Sequence, residues 1–166
     1  MITVQRLTPD DWWAWRHLRL EALREAPEAF GATLADWQGA GDTEQRWRHR
    51  LTTVPLNLIA DVNGRPAGMA AGTWNQADAE LISMWVAPFA RGQGVGDRLV
   101  DAVVEWAQSQ GASRIILHVK TDNAPAIRLY RRHDFTDAGP SPESGTGSPE
   151  RLFVRFLRHP VTGGAQ

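Results

Sequence analysis

Cysteine is absent from all 166 residues. That excludes disulfides, thiolate metal ligands and a covalent cysteine intermediate together. Lysine is nearly absent, with Lys120 the only one among 18 basic residues. The codon bias of a GC-rich genome would account for that. Tyrosine occurs once, at Tyr130. Neither sign of charge dominates: the formal net charge is −1, so the basic footprint of a nucleic-acid binder is missing. No apolar run approaches the ~20 residues of a membrane span. The opening "MITVQRLTPDD" lacks the charged-then-apolar layout of a signal peptide. These absences predict a cytoplasmic protein with no membrane and no nucleic-acid partner.

What is present suffices for a packed core. Hydrophobic residues make up 42% of the chain, which excludes global disorder. The length fits one domain and would cramp two, so residues 1–166 are expected to form a single domain. Ile2–Leu7 alternates as a strand. From Thr8 a helix begins, with Pro9 in its first turn and Asp10 and Asp11 at the positive end of the dipole. Pro27 ends it. Asp42–Thr53 reads as a second helix. Leu56–Val62 and the stretch from Arg65 to Trp74 form a hairpin about Asn63–Gly64. Ala79–Val86 is a further strand. A helix from about Gly94 to Gln110 carries Val95, Leu99, Ala102, Val103 and Trp106 at helical spacing. The strand Arg114–Val119 follows, then a short helix capped by Asn123. A short strand is expected at Phe135–Ala138 and a last one at Arg151–Leu157. The turn-rich segment Gly139–Glu150 is expected to be mobile and the tail 159–166 frayed. The order β-α-α-β-β-β-α-β-α-β is that of a mixed α/β layer sandwich. Of eight tryptophans, Trp12, Trp13, Trp15, Trp37 and Trp47 lie in the first fifty residues, where they are read as packing with a few lining a pocket. Histidines His17, His49, His133 and His159 read as surface residues.

The stretch "VAPFARGQGVGDRLV" (Val86–Val100) places Gly92, Gly94 and Gly96 between a strand and a helix. A glycine-rich turn at a helix N-terminus is an anion site: unpaired N–H groups and the helix dipole point at whatever sits there. Glycine removes the Cβ that would keep oxygen atoms at a distance. Arg91 adds a fixed positive charge with bidentate donors. A pyrophosphate is the natural guest. The nucleotide-binding P-loop would need GxxxxGK(S/T), and the lysine and hydroxyl are missing. The dinucleotide fingerprint would need GxGxxG and an acid about twenty residues on, whereas the spacing here is GxGxG.

The run "RGQGVG" fits Q/R-x-x-G-x-G/A, and the chain resembles the GNAT-type N-acetyltransferases over most of its length. A second family pattern, N-x-x-A-x-x-L-Y-x-x-x-G-F, is met at Asn123, Ala126, Leu129, Tyr130 and Phe135 and departs at Asp134, where the family has glycine. Asp tolerates the left-handed region, so Asp134 is expected to stop the helix. The resemblance implies an α/β fold with a GNAT-like mixed, mostly antiparallel central sheet, helices on both faces, and a splayed parallel strand pair formed by Ala79–Val86 and Arg114–Val119. It implies acetyl-CoA as co-substrate and no metal. The pantetheine arm would lie along Met84, Trp85 and Val86. The pyrophosphate would be held by Arg91, Gly92, Gln93, Gly94, Val95, Gly96 and Asp97, and Asn123 would contact the pantetheine or cap its helix.

The implied chemistry is attack of an amine on a thioester. Tyr130 occupies the family's general-acid position. Glu80 and His118 are the two candidates for the base: Glu80 shares a strand face with Ile82 and Met84, and His118 interrupts "IILHV" on the facing strand. The acceptor pocket would be bordered by Phe30, Trp37 and neighbours, with Gly139–Glu150 opposite. The leading expectation is acetyl transfer in a ternary complex to a small-molecule amine. A protein N-terminal or lysine acetyltransferase and a non-catalytic acyl-CoA-binding module are the alternatives. A homodimer is compatible with the resemblance.

Overall fold

The computed structural model describes residues 1–27, 33–144 and 149–158. Seven strands form one sheet in the order β1-β2-β3-β4-β5-β7-β6. Strand β1 (Ile2–Arg6) pairs antiparallel with β2 (Leu56–Val62), and β2 with β3 (Arg65–Asn75). The β2–β3 turn is Asn63–Gly64, with φ of 50° and 82°. Positive φ at both turn residues suits the twist of a two-residue hairpin, which is why Asn-Gly occurs there. Strand β4 (Asp78–Val86) continues the antiparallel run, and its other neighbour β5 (Arg114–Lys120) is parallel to it. Strand β7 (Glu150–Phe156) pairs with β5 and with β6 (Thr136–Pro140), both antiparallel. This is the expected mixed, mostly antiparallel sheet with one parallel pair.

Among the described residues four α-helices cover it: α1 (Trp12–Glu25), α2 (Glu44–Thr53), α3 (Val95–Ser109) and α4 (Ala124–Arg132). The start of α1 differs from expectation. Pro9–Asp11 form a 3-10 turn first, and the Asp11 carboxylate accepts the Thr8 N–H at 2.8 Å. The helix proper therefore begins at Trp12. Caps fall where the sequence places them. Thr43 Oγ1 accepts from Arg46 N at 3.2 Å, and Asn123 Oδ1 from Ala126 N at 3.3 Å. Asp134 adopts φ 64° and ends α4, as its tolerance of the left-handed region predicts. Among its described residues, the stretch between α1 and α2 holds the 3-10 turns Leu34–Trp37 and Gly39–Gly41.

Period-2 alternation divides the strand residues between two cores. Leu58, Ala60, Ala70 and Leu81 pack with Leu99, Val103 and Trp106 of α3, and with Tyr130 and Phe135. Ile59, Met69, Ala71 and Trp85 pack with Trp15, Leu18, Trp47 and Leu51 of α1 and α2. A central sheet buried on both faces is what lets β4 and β5 separate at one end without losing the fold. Trp37 stacks on Trp47, ring centroids 4.3 Å apart, with the Arg46 guanidinium 3.7 Å from the Trp37 ring centre. That tryptophan is packing. The proposed pocket residue Phe30 and the tail 159–166, with His159, lie outside the described residues.

Candidate active site

Strands β4 and β5 are paired only at Ala79↔Ile115 and Glu80↔Ile116. Beyond Glu80 they diverge, so the β4 edge from Leu81 to Val86 faces no ladder partner there. Backbone polar groups need partners, and an extended ligand lying in the cleft would supply them. On its other edge β4 is bulged against β3, between the pairs Met69↔Trp85 and Ala71↔Ile82. Ser83 sits in the bulge at φ 57°. A bulge bends the strand and re-aims its neighbours, and such features concentrate at binding sites. The cleft opens into a cavity of ≈ 710 Å³.

The three glycines serve two different needs. Gly92 and Gly94 have φ of 77° and 90°, with open space where a Cβ would stand. They are required by backbone conformation. Gly96 has no such φ. A Cβ there would meet Leu129 Cδ2 of α4 at 3.0 Å and Met84 Cε of β4 at 3.5 Å. It is required by close packing where α3, α4 and β4 converge. Gly94 caps α3, and the first helical bond is Arg98 N to Gly94 O at 3.1 Å. The N–H groups of Val95, Gly96 and Asp97 precede it and have no partner within the helix.

Of the residues expected to bind cofactor, Met84, Trp85, Val86, Arg91, Gly92, Gly94, Val95, Gly96, Asp97, Asn123 and Tyr130 line the cavity, and so does His118. Gln93 does not line it: its Nε2 donates to Phe89 O at 3.0 Å, bracing the loop from outside. Arg91 is more committed than the sequence implied. Its Nη2 donates to Glu25 Oε2 at 2.8 Å and its Nε to Val86 O at 3.0 Å. Glu25 also accepts from Trp85 Nε1 at 2.9 Å. The Arg91 hydrogen bond, aided by Trp85, holds the Glu25 carboxyl below the ordinary range against the effect of burial. Thus α1 is tied to the floor of the glycine loop. Arg128 and Arg132 of α4 and Lys120 of β5 also line the cavity, adding positive charge at its mouth.

Asp97 lies at the start of α3 with a cost and a gain. Burial opposes its ionisation, but hydrogen bonds from His133 and Arg132 outweigh that and hold it below the ordinary carboxylate range. His133 corrects a sequence expectation. It is not a surface residue: its side chain is only 12% exposed, with Nε2 2.8 Å from Asp97 and Nδ1 3.1 Å from Asp101. The packing of α4 on α3 puts it there. His17 and His49 are exposed, as expected.

The candidate base residues meet. His118 Nε2 is 3.1 Å from Glu80 Oε1 and 3.3 Å from Glu143 Oε2, and its Nδ1 is 2.6 Å from Ser141 Oγ. The two carboxylates are in ion-pair range of Nε2, yet the ring N–H axis is aimed at neither, so Nε2 is buried without a hydrogen bond. Burial raises the Glu80 carboxyl above its ordinary range. The neighbouring charge of Glu143 adds to this, while His118 and Asn75 pull the other way. A carboxylate raised in this way is suited to accept a proton nearer neutrality. The segment Gly139–Glu150 therefore has defined anchors among its described residues. Ser141 N bonds Glu150 O at 2.8 Å, and Asn75 Nδ2 bonds Glu143 at 3.0 Å. The Glu80, His118 and Glu143 donor atoms lie within 4.8 Å of one another, close enough to hold a cation as well as a proton.

Tyr130 is buried against Phe135 in an edge-on contact, ring centroids 6.0 Å apart. Burial raises its phenol well above the ordinary value. The hydroxyl has no hydrogen-bond partner among the described residues, and it is not among the polar atoms closed off from solvent. It stands at the wall of the cavity.

The sequence gives no local sign of Glu25, Ser83, Ser141 or Glu143. Each reaches the site through contacts made far along the chain.

A bulged strand splaying from a parallel neighbour, over a glycine turn that opens a helix, defines the fold of the acyl-CoA-dependent N-acetyltransferases. The profile of the Acetyltransferase (GNAT) family matches residues 12–135, and the chain belongs to that family. It is similar to mycothiol acetyltransferase of Clavibacter michiganensis, 31% identical over 82% of this chain and 43% of that protein. The chain thus spans about two fifths of the length of that relative. It is also similar to the L-methionine sulfoximine/L-methionine sulfone acetyltransferase of Pseudomonas paraeruginosa, 30% identical over 79% of this chain and 82% of that protein. Among solved structures, a GNAT-family acetyltransferase from Streptococcus pneumoniae superposes with a TM-score of 0.77 at 21% identity, over 95% of this chain and 100% of that one. The yncA structure from Salmonella typhimurium, solved with acetyl-CoA, superposes with a TM-score of 0.75 at 20% identity, over 96% and 95%. These likenesses establish the fold. No described helix is long and apolar enough to cross a membrane.

Proposed function

We propose that this chain acts as a single domain that transfers an acetyl group from acetyl-CoA to the amine of a small molecule, by direct attack in a ternary complex. The observation that carries the reading is the convergence on one cavity of three features: the unpaired β4 edge, the free N–H groups at the start of α3, and the open hydroxyl of Tyr130. In this reading the pyrophosphate lies on Gly92–Asp97 with Arg91 beside it. The pantetheine runs along Met84–Val86, with Asn123 on the opposite wall.

The amine arrives protonated, since alkylammonium groups titrate near ~10. Glu80 takes that proton, directly or through a water, and His118 and Glu143 set its readiness. The amine nitrogen then forms a bond to the thioester carbonyl carbon. A backbone N–H of the β4 bulge supports the oxyanion. The C–S bond breaks, Tyr130 donates a proton to the departing thiolate, and the second proton, shed by the acylated nitrogen, restores the phenol directly or through a water. The products are the acetylated amine and free CoA. No step requires a metal, although the Glu80–His118–Glu143 donor set would admit one.

The small-molecule reading is supported by the relatives named for mycothiol and for methionine sulfoximine, both small molecules. The test is isothermal titration with acetyl-CoA, with NADH as the control, followed by thiol release against an amine panel. Micromolar acetyl-CoA binding without NADH binding, and CoA release dependent on an amine, are expected. Absence of acetyl-CoA binding refutes the reading. Binding without turnover on any amine points to the non-catalytic module.

A further inference from the structure

Behind the β4 bulge, on the α1/α2 side of the sheet, stands an arginine the transfer chemistry does not use. Arg50, in the last turn of α2, donates from Nη2 to Ser83 Oγ at 3.0 Å. Its Nε is closed off from solvent and makes no hydrogen bond. Its Nη1 also makes no hydrogen bond but is not among the closed-off atoms. The guanidinium lies 5.3 Å from the centre of the Trp15 ring. Burial alone brings Arg50 down to about 10, with no carboxylate among the causes. Arg19, on α1, is itself buried at 8% exposure. It is brought down to about 10 by burial and by the Arg50 charge. Two guanidiniums near enough to repel thus stand on this wall. Ser83, which Arg50 holds, lines the cavity described above, next to Met84.

A buried cation without an anion is costly, and a guanidinium is shaped to receive a carboxylate through two parallel N–H bonds. An exposed lysine would have served for solubility. Arg50 is half-buried, keeps Nη1 open and holds Ser83, which stands next to Met84 in the cavity wall, a disposition suited to receiving a carboxylate there.

We propose that the acetyl acceptor carries a carboxylate as well as its amine, that is, an amino acid or close analogue, with Arg50 and Ser83 receiving the carboxylate. The proposal rests on the acetyl-transfer reading of the cavity. It goes beyond that reading in specifying the acceptor's second functional group. Arg50 binds and orients the acceptor and takes no part in bond making.

The experiment is a set of matched acceptors: α-amino acids, β-alanine and 4-aminobutyrate, each against its carboxamide, assayed by CoA release. The free acids should exceed their amides by roughly 10- to 100-fold in kcat/KM, mostly through KM, as expected for a charge-assisted hydrogen bond. Arg50→Met should bring the acid-to-amide ratio to within about 2-fold while the acetyl-CoA Kd stays unchanged, and Arg50→Lys should keep part of it. Ser83→Ala, which perturbs less, should reduce the ratio in the same direction. Equal use of acids and amides, a ratio that survives Arg50→Met, or acetyl-CoA binding with no carboxylated acceptor turned over each overturns the proposal. Failure of acetyl-CoA to bind the unmodified protein overturns instead the reading on which it rests.

Discussion

Replacing Tyr130 by Phe isolates one hydroxyl. The structure fixes what should change and what should not. The ring is buried against Phe135, and both are retained in the variant's packing. The hydroxyl has no hydrogen-bond partner among the described residues, so its loss removes no native bond. Stability should therefore stay within about 0.5 kcal/mol, the range of substitutions that break no buried contact, and Tm within about 2 °C for a chain of this size. The catalytic consequence is larger. Even at the ordinary phenol value of ~10, proton transfer to a thiolate whose conjugate acid titrates near ~8.5 is uphill by roughly 2 kcal/mol. Burial raises the phenol further. Tyr130 is thus best placed to donate a hydrogen bond to sulfur as charge develops, completing the transfer late. A preorganised donor of that kind is worth about 10²–10³ in kcat. The assay is CoA release from acetyl-CoA under saturating amine, with Kd for acetyl-CoA measured alongside. A fall of about 10²–10³ in kcat at unchanged Kd and Tm is expected. Because the acid form is the useful one and its pKa is raised, wild-type activity should show no alkaline limb from Tyr130 below pH 10. A Tyr130→Phe variant with undiminished kcat would refute the reasoning. A drop of several degrees in Tm would show that the hydroxyl is structural.

Other outcomes follow from the same geometry. Glu80 must be ionised to accept a proton, and burial raises its pKa, so activity should rise with pH through a limb above the ordinary carboxylate range. Glu80→Gln should abolish that limb, His118→Ala should move it to higher pH and Glu143→Gln to lower pH, all read from kcat/KM–pH profiles. Gly94→Ala meets open space but must hold φ near 90°, costing about 1–2 kcal/mol in thermal or urea unfolding. Gly96→Ala keeps its φ and instead presses on Leu129, so it should lower unfolding stability through the α3–α4 packing and weaken acetyl-CoA binding with it, read by thermal unfolding and by titration. Arg16 Nε binds Asp42 at 2.7 Å, and Asp42 also accepts from Trp47, which together bring Asp42 down to about 2. With Arg16 still 38% exposed, Asp42→Asn should cost only about 1 kcal/mol at pH 7. A carboxyl whose folded pKa is depressed contributes above its unfolded value, so this difference should fade as pH falls from about 4 toward 2. Prolonged chelation with EDTA should leave turnover unchanged. Loss of activity restored by a divalent cation would assign the Glu80–His118–Glu143 cluster to a metal.

The parts of this protein written in short stretches of sequence are those whose physics is local. Thr43 and Asn123 cap their helices because their side chains reach N–H groups three residues on. Asn63–Gly64 turns the β2–β3 hairpin, and Asp134 stops α4, because these residues accept positive φ. The alternation of β2 and β3 determines which residues enter which core. The glycine run announces an anion site in the sequence itself. Even there the reasons for Gly92 and Gly94 could be separated from that for Gly96 only once α4 was in place.

Tertiary structure decided the rest. Nothing in "LISMWV" marks Ser83 as the residue of a bulge, since the extra residue is defined by the register of β3 alongside it. Arg91 and Glu25 are 66 positions apart, and Arg50 and Ser83 are 33 apart. Glu143 joins Glu80 and His118 from a segment whose composition signals only turns. A carboxylate's or guanidinium's partner is fixed by where packing places it, and a hydrogen bond is decided within a few tenths of an ångström. Sequence pattern specifies which faces are apolar. Which polar side chains then meet in the cleft depends on how those faces close.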